Sequence, residues 1–298
     1  MRERIDQIET LIQQEVGRGA TAMFAASAGG LWQAVSALSA AKPRHVGILT
    51  GFFVPHGTPP AAETDGPAGA ALLALALSRI GVRCRMLTDE VCRSACEAAL
   101  AGAGVTGVAI DAVASNAPLD ILIDAWRSHG IDWMIAIERC GAGVDGRPRN
   151  MRGEDVGAYA APLDRFFVAG PWRTIAIGDG GNEVGMGSLP AGLIAREMPL
   201  GAKIACVTPA DHLITAGVSH WGAYGLIAGL ALSEPAWRET LLACLDPAID
   251  RRIIETLVTR GPAVDGVTLG RTMTIDGFDL SVHEAKLERV RECVAKTF

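Results

Sequence analysis

Thr174-Ile-Ala-Ile-Gly-Asp-Gly-Gly-Asn-Glu-Val-Gly-Met-Gly187 is the stretch on which the fold turns. A short run with strand character stops at Gly178, and an acidic, glycine-rich loop follows before the chain can start another helix. The same grammar occurs upstream. Val46-Gly-Ile-Leu-Thr-Gly-Phe-Phe reads as a buried strand, and Val54-Pro-His-Gly-Thr-Pro-Pro-Ala-Ala-Glu-Thr-Asp-Gly66 leaves it with two carboxylates, hydroxyls and an imidazole. Open α/β sheets bind ligands outside the carboxyl ends of their strands, so both loops predict a small-molecule site.

Outward from these loops the pattern alternates. Strands are expected at Val46–Phe53, Arg83–Leu87, Val105–Ile110, Trp133–Glu138, Thr174–Ile177 and Lys203–Thr208, with a short one near Arg271–Thr274. Helices are expected over 1–17, 28–40, Pro67–Ile80, Glu90–Ala101, Leu119–Ser128, a short stretch after 161, about 184–195, and 213–232, 235–244, 248–259 and Val282–Ala295. Apolar runs of this length between helical periods predict a mainly parallel sheet with helices on both faces, a doubly wound, Rossmann-like α/β fold with a helical C-terminal third. No repeat, low-complexity tract or linker divides the chain, so a single domain over residues 1–298 is expected.

Composition fits a packed globular protein. Apolar residues make up 49% of the 298 and charged residues 20%, which is too apolar for disorder. The longest apolar stretch, Ala68 to Leu77, is too short to span a bilayer. The first residues, Met1-Arg-Glu-Arg-Ile-Asp, form an amphipathic helix pattern rather than an export signal, which makes the cytoplasm the expected location. A net charge of −6 without a basic run argues against a nucleic-acid partner. The seven cysteines show no C-x-x-C pair or zinc spacing and read as buried thiols. Neither a monomer nor a homo-oligomer is singled out.

Three clusters carry chemistry. His56, Thr58, Glu63, Thr64 and Asp65 fall within one proline-stiffened segment, although Thr64 or Asp65 would also serve as a cap for the helix that starts at Pro67. Gly178 to Gly187 lacks the third glycine of a dinucleotide fingerprint, because Glu183 stands there. Its Asp179, Asn182 and Glu183 offer oxygens suited to Mg²⁺ or Mn²⁺, or to an amine, while Gly180 and Gly181 offer amides to an anion. After the expected strand ending near Val207 come Asp211 and His212, then Ser219 and His220. An Asp–His neighbour pair could poise a general base, but adjacent residues on a helix do not face each other. The long loop 139–161 supplies Arg139, Arg149 and Arg152, which could fork onto a carboxylate, with Arg139 preferred for its place at a strand end. There is no Gly-x-Ser-x-Gly elbow and no Walker lysine loop, which weighs against a serine hydrolase or a P-loop NTPase.

Taken together, Gly51-Phe-Phe-Val-Pro-His, Pro59-Pro-Ala-Ala-Glu-Thr-Asp-Gly-Pro, Asn150-Met-Arg-Gly, Ile177-Gly-Asp-Gly-Gly-Asn-Glu-Val-Gly-Met-Gly and Pro209-Ala-Asp-His-Leu-Ile resemble the C-terminal domain of the D-glutamate cyclase family over nearly the whole chain. The resemblance implies a hydro-lyase acting on an acidic amino acid, turning D-glutamate into 5-oxo-D-proline and water. On that reading Asp65 or Glu63 holds or deprotonates the amine, and Asp179 and Glu183 protonate the γ-carboxyl or carry a divalent metal that polarises it. Arg139 or Arg152, with the Gly180–Gly181 amides, holds the α-carboxylate. His212 is a reserve acid or base, and His56, Thr64, Asn150, Asn182 and Asp211 line the substrate. The alternatives are a non-catalytic domain that binds an acidic amino acid, and a metal-dependent lyase or hydrolase of another small carboxylate.

Overall fold

The computed structural model describes residues 1–295. Helices α1 (Arg2–Ile12), α2 (Thr21–Ala26) and α3 (Gly30–Ala41) lead into strand β1 (His45–Thr50). A two-residue ribbon, β2 (Phe53–Val54) with β3 (Ala61–Ala62), sits in the loop beyond it. Then follow α4 (Pro67–Arg79), β4 (Arg83–Asp89), α5 (Arg93–Ala103), β5 (Ala109–Val113), α6 (Asp120–Ser128) and β6 (Trp133–Ile137). The long loop reaches α7 (Leu163–Ala169), β7 (Arg173–Gly178), α8 (Leu193–Glu197), α9 (Gly201–Ile204) and β8 (His212–Thr215). The C-terminal third comprises α10 (Ser219–Ser233), α11 (Arg238–Cys244), α12 (Pro247–Thr259), the ribbon β9 (Thr274–Ile275) with β10 (Phe278–Asp279), and α13 (Leu280–Ala295).

Six strands pair in the order β5-β4-β1-β6-β7-β8, every pair parallel. The chain lays strands to one side of β1, then returns and lays the rest on the other side. This is the doubly wound topology, and its strand order reverses between β1 and β6. Side chains explain the two covered faces, because alternate residues of a strand point to opposite sides. Val46, Ile48, Ile135, Ile137, Ile175 and Ile177 pack with residues of α1, α3, α4 and α10. Leu49, Met134, Ala136 and Ala176 join Trp126, Phe166 and Phe167 of α6 and α7 on the opposite face.

Helix α10 is buried along almost its full length and lies directly on the sheet. Gly222 makes this approach possible: a Cβ there would come within 2.3 Å of the Ile177 side chain. The first turn of α10 is thereby set against the carboxyl ends of β1, β6 and β7.

The chain departs from the sequence reading in several places: β5 lies at Ala109–Val113, later than the expected Val105–Ile110, the helix expected from 213 begins at Ser219, and the largest departure follows β7. Lys203–Thr208 is not a sheet strand; α9 ends at Ile204, and the extended residues beyond it pair with loops, Cys206 N–H to Gly181 O at 3.0 Å and Val207 N–H to Ala142 O at 3.0 Å. Pro209 follows and has no N–H to continue a ladder. The edge strand instead begins at His212. The expected helix over 184–195 is mostly turns, since Gly185 adopts a positive φ and Gly187 packs against the Val207 backbone; helix resumes only at Leu193. The seven cysteines are free and buried, and burial pushes the thiols of Cys84, Cys96, Cys140 and Cys206 up to about 12. Among the described residues no helix is long and apolar enough to cross a membrane.

Arg139 proves to be structural. Its guanidinium is buried and grips Asp89 at the end of β4 through both terminal nitrogens. It also donates to Gly51 O at 3.1 Å and Ala161 O at 2.7 Å. One side chain thus ties together the ends of β1, β4 and β6 and the end of the long loop. Removing one partner of a buried pair strands the other's charge, so Arg139→Met is expected to lose about 3–5 kcal/mol of stability in urea unfolding. Adding Asp89→Asn should recover part of that loss. A loss under about 1 kcal/mol, the range of exposed pairs, would contradict this role.

Candidate active site

Four loops from the carboxyl edge of the sheet converge beside the β1–β6 reversal. The segment after β1 and its ribbon brings Glu63 and Asp65, the residue after β6 is Glu138, the loop after β7 brings Asp179, and the chain after β8 begins α10 at Ser219. All four acids are buried. One oxygen each from Asp65, Glu138 and Asp179 lie within 4.8 Å of one another.

Ser219 organises this trio. Its backbone N–H, at the first turn of α10, donates to Asp65 Oδ2 at 3.0 Å and to Asp179 Oδ2 at 2.9 Å. Its hydroxyl donates to Glu138 Oε2 at 2.6 Å. A helix N-terminus carries unsatisfied N–H groups and a partial positive charge, so a carboxylate is favoured there, but three carboxylates exceed what one terminus balances. Two backbone features permit the crowding. Gly66 takes φ +82, donates to Asp65 Oδ1 at 2.7 Å, and has no Cβ to strike the Glu138 side chain. Glu138 itself adopts φ +42, a conformation uncommon outside glycine and seen at functional sites.

The remaining charges come from outside these loops. Arg18, on the turn after α1, is ion-paired with Asp179, and its second nitrogen meets Asp276 Oδ1 at 2.7 Å. Burial works against the charge of Arg18, but Asp179 and Asp276 together hold the guanidinium protonated. The turn is itself fixed by Glu15, whose carboxylate accepts the N–H groups of Val16, Gly17, Arg18 and Gly19. Five carboxylates (Glu63, Asp65, Glu138, Asp179 and Asp276) therefore gather around the Arg18 guanidinium, with Arg152 as a second guanidinium at the cavity wall.

That imbalance appears in their protonation. Burial, then the charges of Asp276 and Asp65, lifts Glu63 well above the usual carboxylate range. Burial and Asp276 raise Asp65 to about 7. Burial and the acids around them raise Glu138 and Asp179 well above that range as well, Arg18 only partly opposing the shift at Asp179. The trio of oxygens suits a divalent ion, whose hard charge takes carboxylate ligands.

Above the trio opens a cavity of about 280 Å³. Its walls include Arg18, Glu63, Glu138, Asp179, Asn182 and Asp276, with Phe52, Phe53 and Met151 as apolar wall. His56, Asn150 and Arg152 line it too. Ligand pockets commonly run from about 300 to 1,000 Å³, so this one fits an amino acid better than a nucleotide.

The sequence candidates separate cleanly by position. Glu63, Asp179, Asn182, His56, Asn150 and Arg152 line the cavity, and Asp65 lies within the carboxylate trio. Glu183 is a loop brace: its Oε1 accepts the N–H of Asp179 at 3.0 Å and of Gly180 at 2.6 Å. The Gly180 amide is therefore already used, and Gly181 packs against Ile194. Thr64 donates to Thr274 O at 2.9 Å, and Arg139 is the staple described above. His212 and Asp211 belong to the other end of the sheet, because β8 starts at His212 instead of ending before it. There His212 contacts Arg173 at 3.1 Å and Asp211 accepts from the Thr174 amide at 2.7 Å.

Arg18, Glu138, Ser219 and Asp276 were not marked as site residues by the sequence reading. Glu138 was legible in principle, as an acid ending a buried strand, but its neighbour Arg139 drew the assignment. Asp276-Gly277 reads as a hairpin turn, which it is, with Asp276 at φ +54. Nothing local marks Arg18.

The raised Asp65 gives a pH signature with a definite sign. Its ordinary value is 3.8 and its folded value about 7, so the folded protein retains a proton that the unfolded chain releases. This contribution to stability is complete below about pH 4 and is lost as pH rises through about 7. Asp65→Asn removes the loss. In the metal-free protein its urea midpoint should gain on that of wild type as pH is raised from about 5 to 8. A difference independent of pH would contradict the raised value.

Comparison with known proteins identifies the family. The family model described as "D-glutamate cyclase-like, C-terminal" matches residues 8–291. The human protein "D-glutamate cyclase, mitochondrial" is 30% identical over 209 residues, which are 65% of this chain and 34% of the human one. The matched region thus spans about a third of that relative's length. A match running almost end to end places the chain in the D-glutamate cyclase-like C-terminal family.

Proposed function

We propose that this chain is a hydro-lyase that cyclises D-glutamate to 5-oxo-D-proline. The observation that carries the reading is a buried, cation-deficient carboxylate cluster opening into a cavity of amino-acid size. In the reaction the α-nitrogen bonds to the carbon of the γ-carboxyl group and one oxygen of that carboxyl departs. Two protons leave the nitrogen, and both depart on the water formed. Such chemistry needs groups that accept and return protons near neutrality, and carboxyls raised by burial are matched to that task.

Glu63 suits the base. Its carboxyl lines the cavity, and its raised proton affinity narrows the gap to the amine it must deprotonate. Each pH unit of mismatch costs about 1.4 kcal/mol, so desolvation here lowers the barrier to proton transfer. Glu138 and Asp179 face the γ-carboxyl as acids that supply the departing oxygen's protons. Asp65, Glu138 and Asp179 are also the residues that would hold Mg²⁺ or Mn²⁺; when bound, the ion would polarise the γ-carboxyl and take over its neutralisation. Arg152, exposed at the cavity wall and joined to Gly266 O at 3.3 Å, would receive the α-carboxylate.

One observation favours a second reading. The matched segment is 34% of the human relative, so this chain could be a domain that binds the amino acid while chemistry resides elsewhere. The same experiment separates the two. Purified protein is incubated with D- or L-glutamate, with chelator or with Mn²⁺, and 5-oxoproline is resolved by chiral chromatography. D-glutamate should be converted in the Mn²⁺ arm, and chelation should suppress it. Glu138→Gln and Asp179→Asn should each reduce turnover by at least about a hundredfold. Binding of D-glutamate without conversion in any arm would favour the binding domain. A fully active Glu138→Gln or Asp179→Asn variant would remove that residue from the mechanism.

A further inference from the structure

Two residues that line the cavity, Asn182 and Asp276, each carry a buried acceptor with no partner among the described residues, Asn182 Oδ1 and Asp276 Oδ2. Asn182 is 1% exposed, and its amide orientation is fixed from the other side, where Nδ2 donates to Arg149 O at 2.8 Å. Flipping the amide would set its oxygen against a carbonyl, so Oδ1 must be the end left without a donor. Asp276 is similarly pinned: Oδ1 meets Arg18 at 2.7 Å, its side chain is nine-tenths buried, and Oδ2 is left over. Both residues line the same cavity as Glu63. An unsatisfied buried acceptor costs about 1–3 kcal/mol, so two of them in one ligand cavity point to donors that arrive with the ligand.

We propose that Asn182 and Asp276, with Glu63, form the socket for the substrate's primary ammonium and make this site selective for amino acids over the matching hydroxy acids. The inference rests on the reading of the cavity as an acidic-amino-acid site and adds the orientation of the bound molecule. An ammonium brings three N–H donors, enough for Asn182 Oδ1, Asp276 Oδ2 and the Glu63 carboxylate. It also brings a positive charge to a cavity whose carboxylates outnumber its guanidiniums. A divalent ion fits the socket less well. The three oxygens gathered closely enough for one belong to Asp65, Glu138 and Asp179, and the Arg18 guanidinium lies between Asp179 and Asp276. The ammonium would therefore stand at the Asp276 end with its γ-carboxyl toward Glu138, and Glu63 would be the group beside the nitrogen that loses protons. A hydroxy acid has one O–H donor and no charge, so it would leave at least one acceptor empty.

The test is calorimetric titration of wild type, Asp276→Asn and Asn182→Ala with D-glutamate, D-2-hydroxyglutarate and methylammonium, Mn²⁺ being present throughout. Folding of each variant is checked by its thermal transition. Asp276→Asn is the sharper variant. Its Oδ1 still accepts from Arg18, asparagine tolerates the positive φ, and the free acceptor becomes a donor pointing at the ammonium. Wild type should prefer D-glutamate over the hydroxy acid by at least about a hundredfold, and Asp276→Asn should cut that preference below about tenfold, with hydroxy-acid affinity nearly unchanged. Asn182→Ala should move in the same direction. Equal affinity of wild type for the two acids, or full preference retained in both variants, overturns the socket while leaving the cyclase reading standing. If neither acid binds but methylammonium stabilises wild type and not Asp276→Asn, the socket holds and the glutamate reading fails. No response to any of the three overturns the socket.

Discussion

The site depends on the first turn of α10. One residue, Ser219, gives its backbone N–H to Asp65 and Asp179 and its hydroxyl to Glu138, so three carboxylates delivered by separate loops meet at a single point. Nothing in those loops would bring them together alone. The sheet sets their starting points, the all-round burial of α10 sets where its N-terminus lies, and Gly222 against Ile177 sets how closely it approaches. The N-terminal partial charge of the helix then makes the gathering tolerable without making it neutral.

That shortfall governs what the cluster can bind. Arg18 supplies one full charge from a segment remote in sequence, braced by Glu15, and five acids remain around it. Carboxyls so placed either keep protons to higher pH or take a cation. Both outcomes are useful for closing an amine onto a carboxyl, because the first provides acids and bases near neutrality and the second neutralises the leaving oxygen. The same desolvation that destabilises the ionised cluster strengthens its hold on a cationic ligand. Stability given up here is offset by ordinary packing on both faces of the sheet and by the Arg139–Asp89 staple behind the site.

Much of this was legible in the sequence, and the misses have physical causes. The strands β1, β4, β6 and β7 followed from short apolar runs, and the two glycine-rich loops pointed to the carboxyl edge of the sheet, where the carboxylate cluster lies. Glu63, Asp65 and Asp179 followed from them. The edge strand was misplaced because Ile204-Ala-Cys-Val207 has a strand's composition but spends its backbone bonds on loops, which no local pattern reports. That single shift moved Asp211 and His212 from the carboxyl edge of the sheet to the opposite one. Arg139 was misassigned for a related reason: an arginine at a strand end is equally suited to a substrate carboxylate and to a buried aspartate, and only Asp89 decides between them. Arg18 and Asp276 lie on turns whose sequence describes the turn and not its destination.

Proton release on ligation tests the account most directly. If the cluster stores protons for want of a cation, then Mn²⁺ or D-glutamate binding near pH 7 must displace them. Titration calorimetry in buffers of different ionisation enthalpy counts the protons exchanged. The account predicts heats that depend on the buffer and correspond to net release, with less release for Asp65→Asn. Binding with heats independent of buffer would mean that the carboxylates were already ionised, and the central claim of a cation-deficient cluster would be wrong.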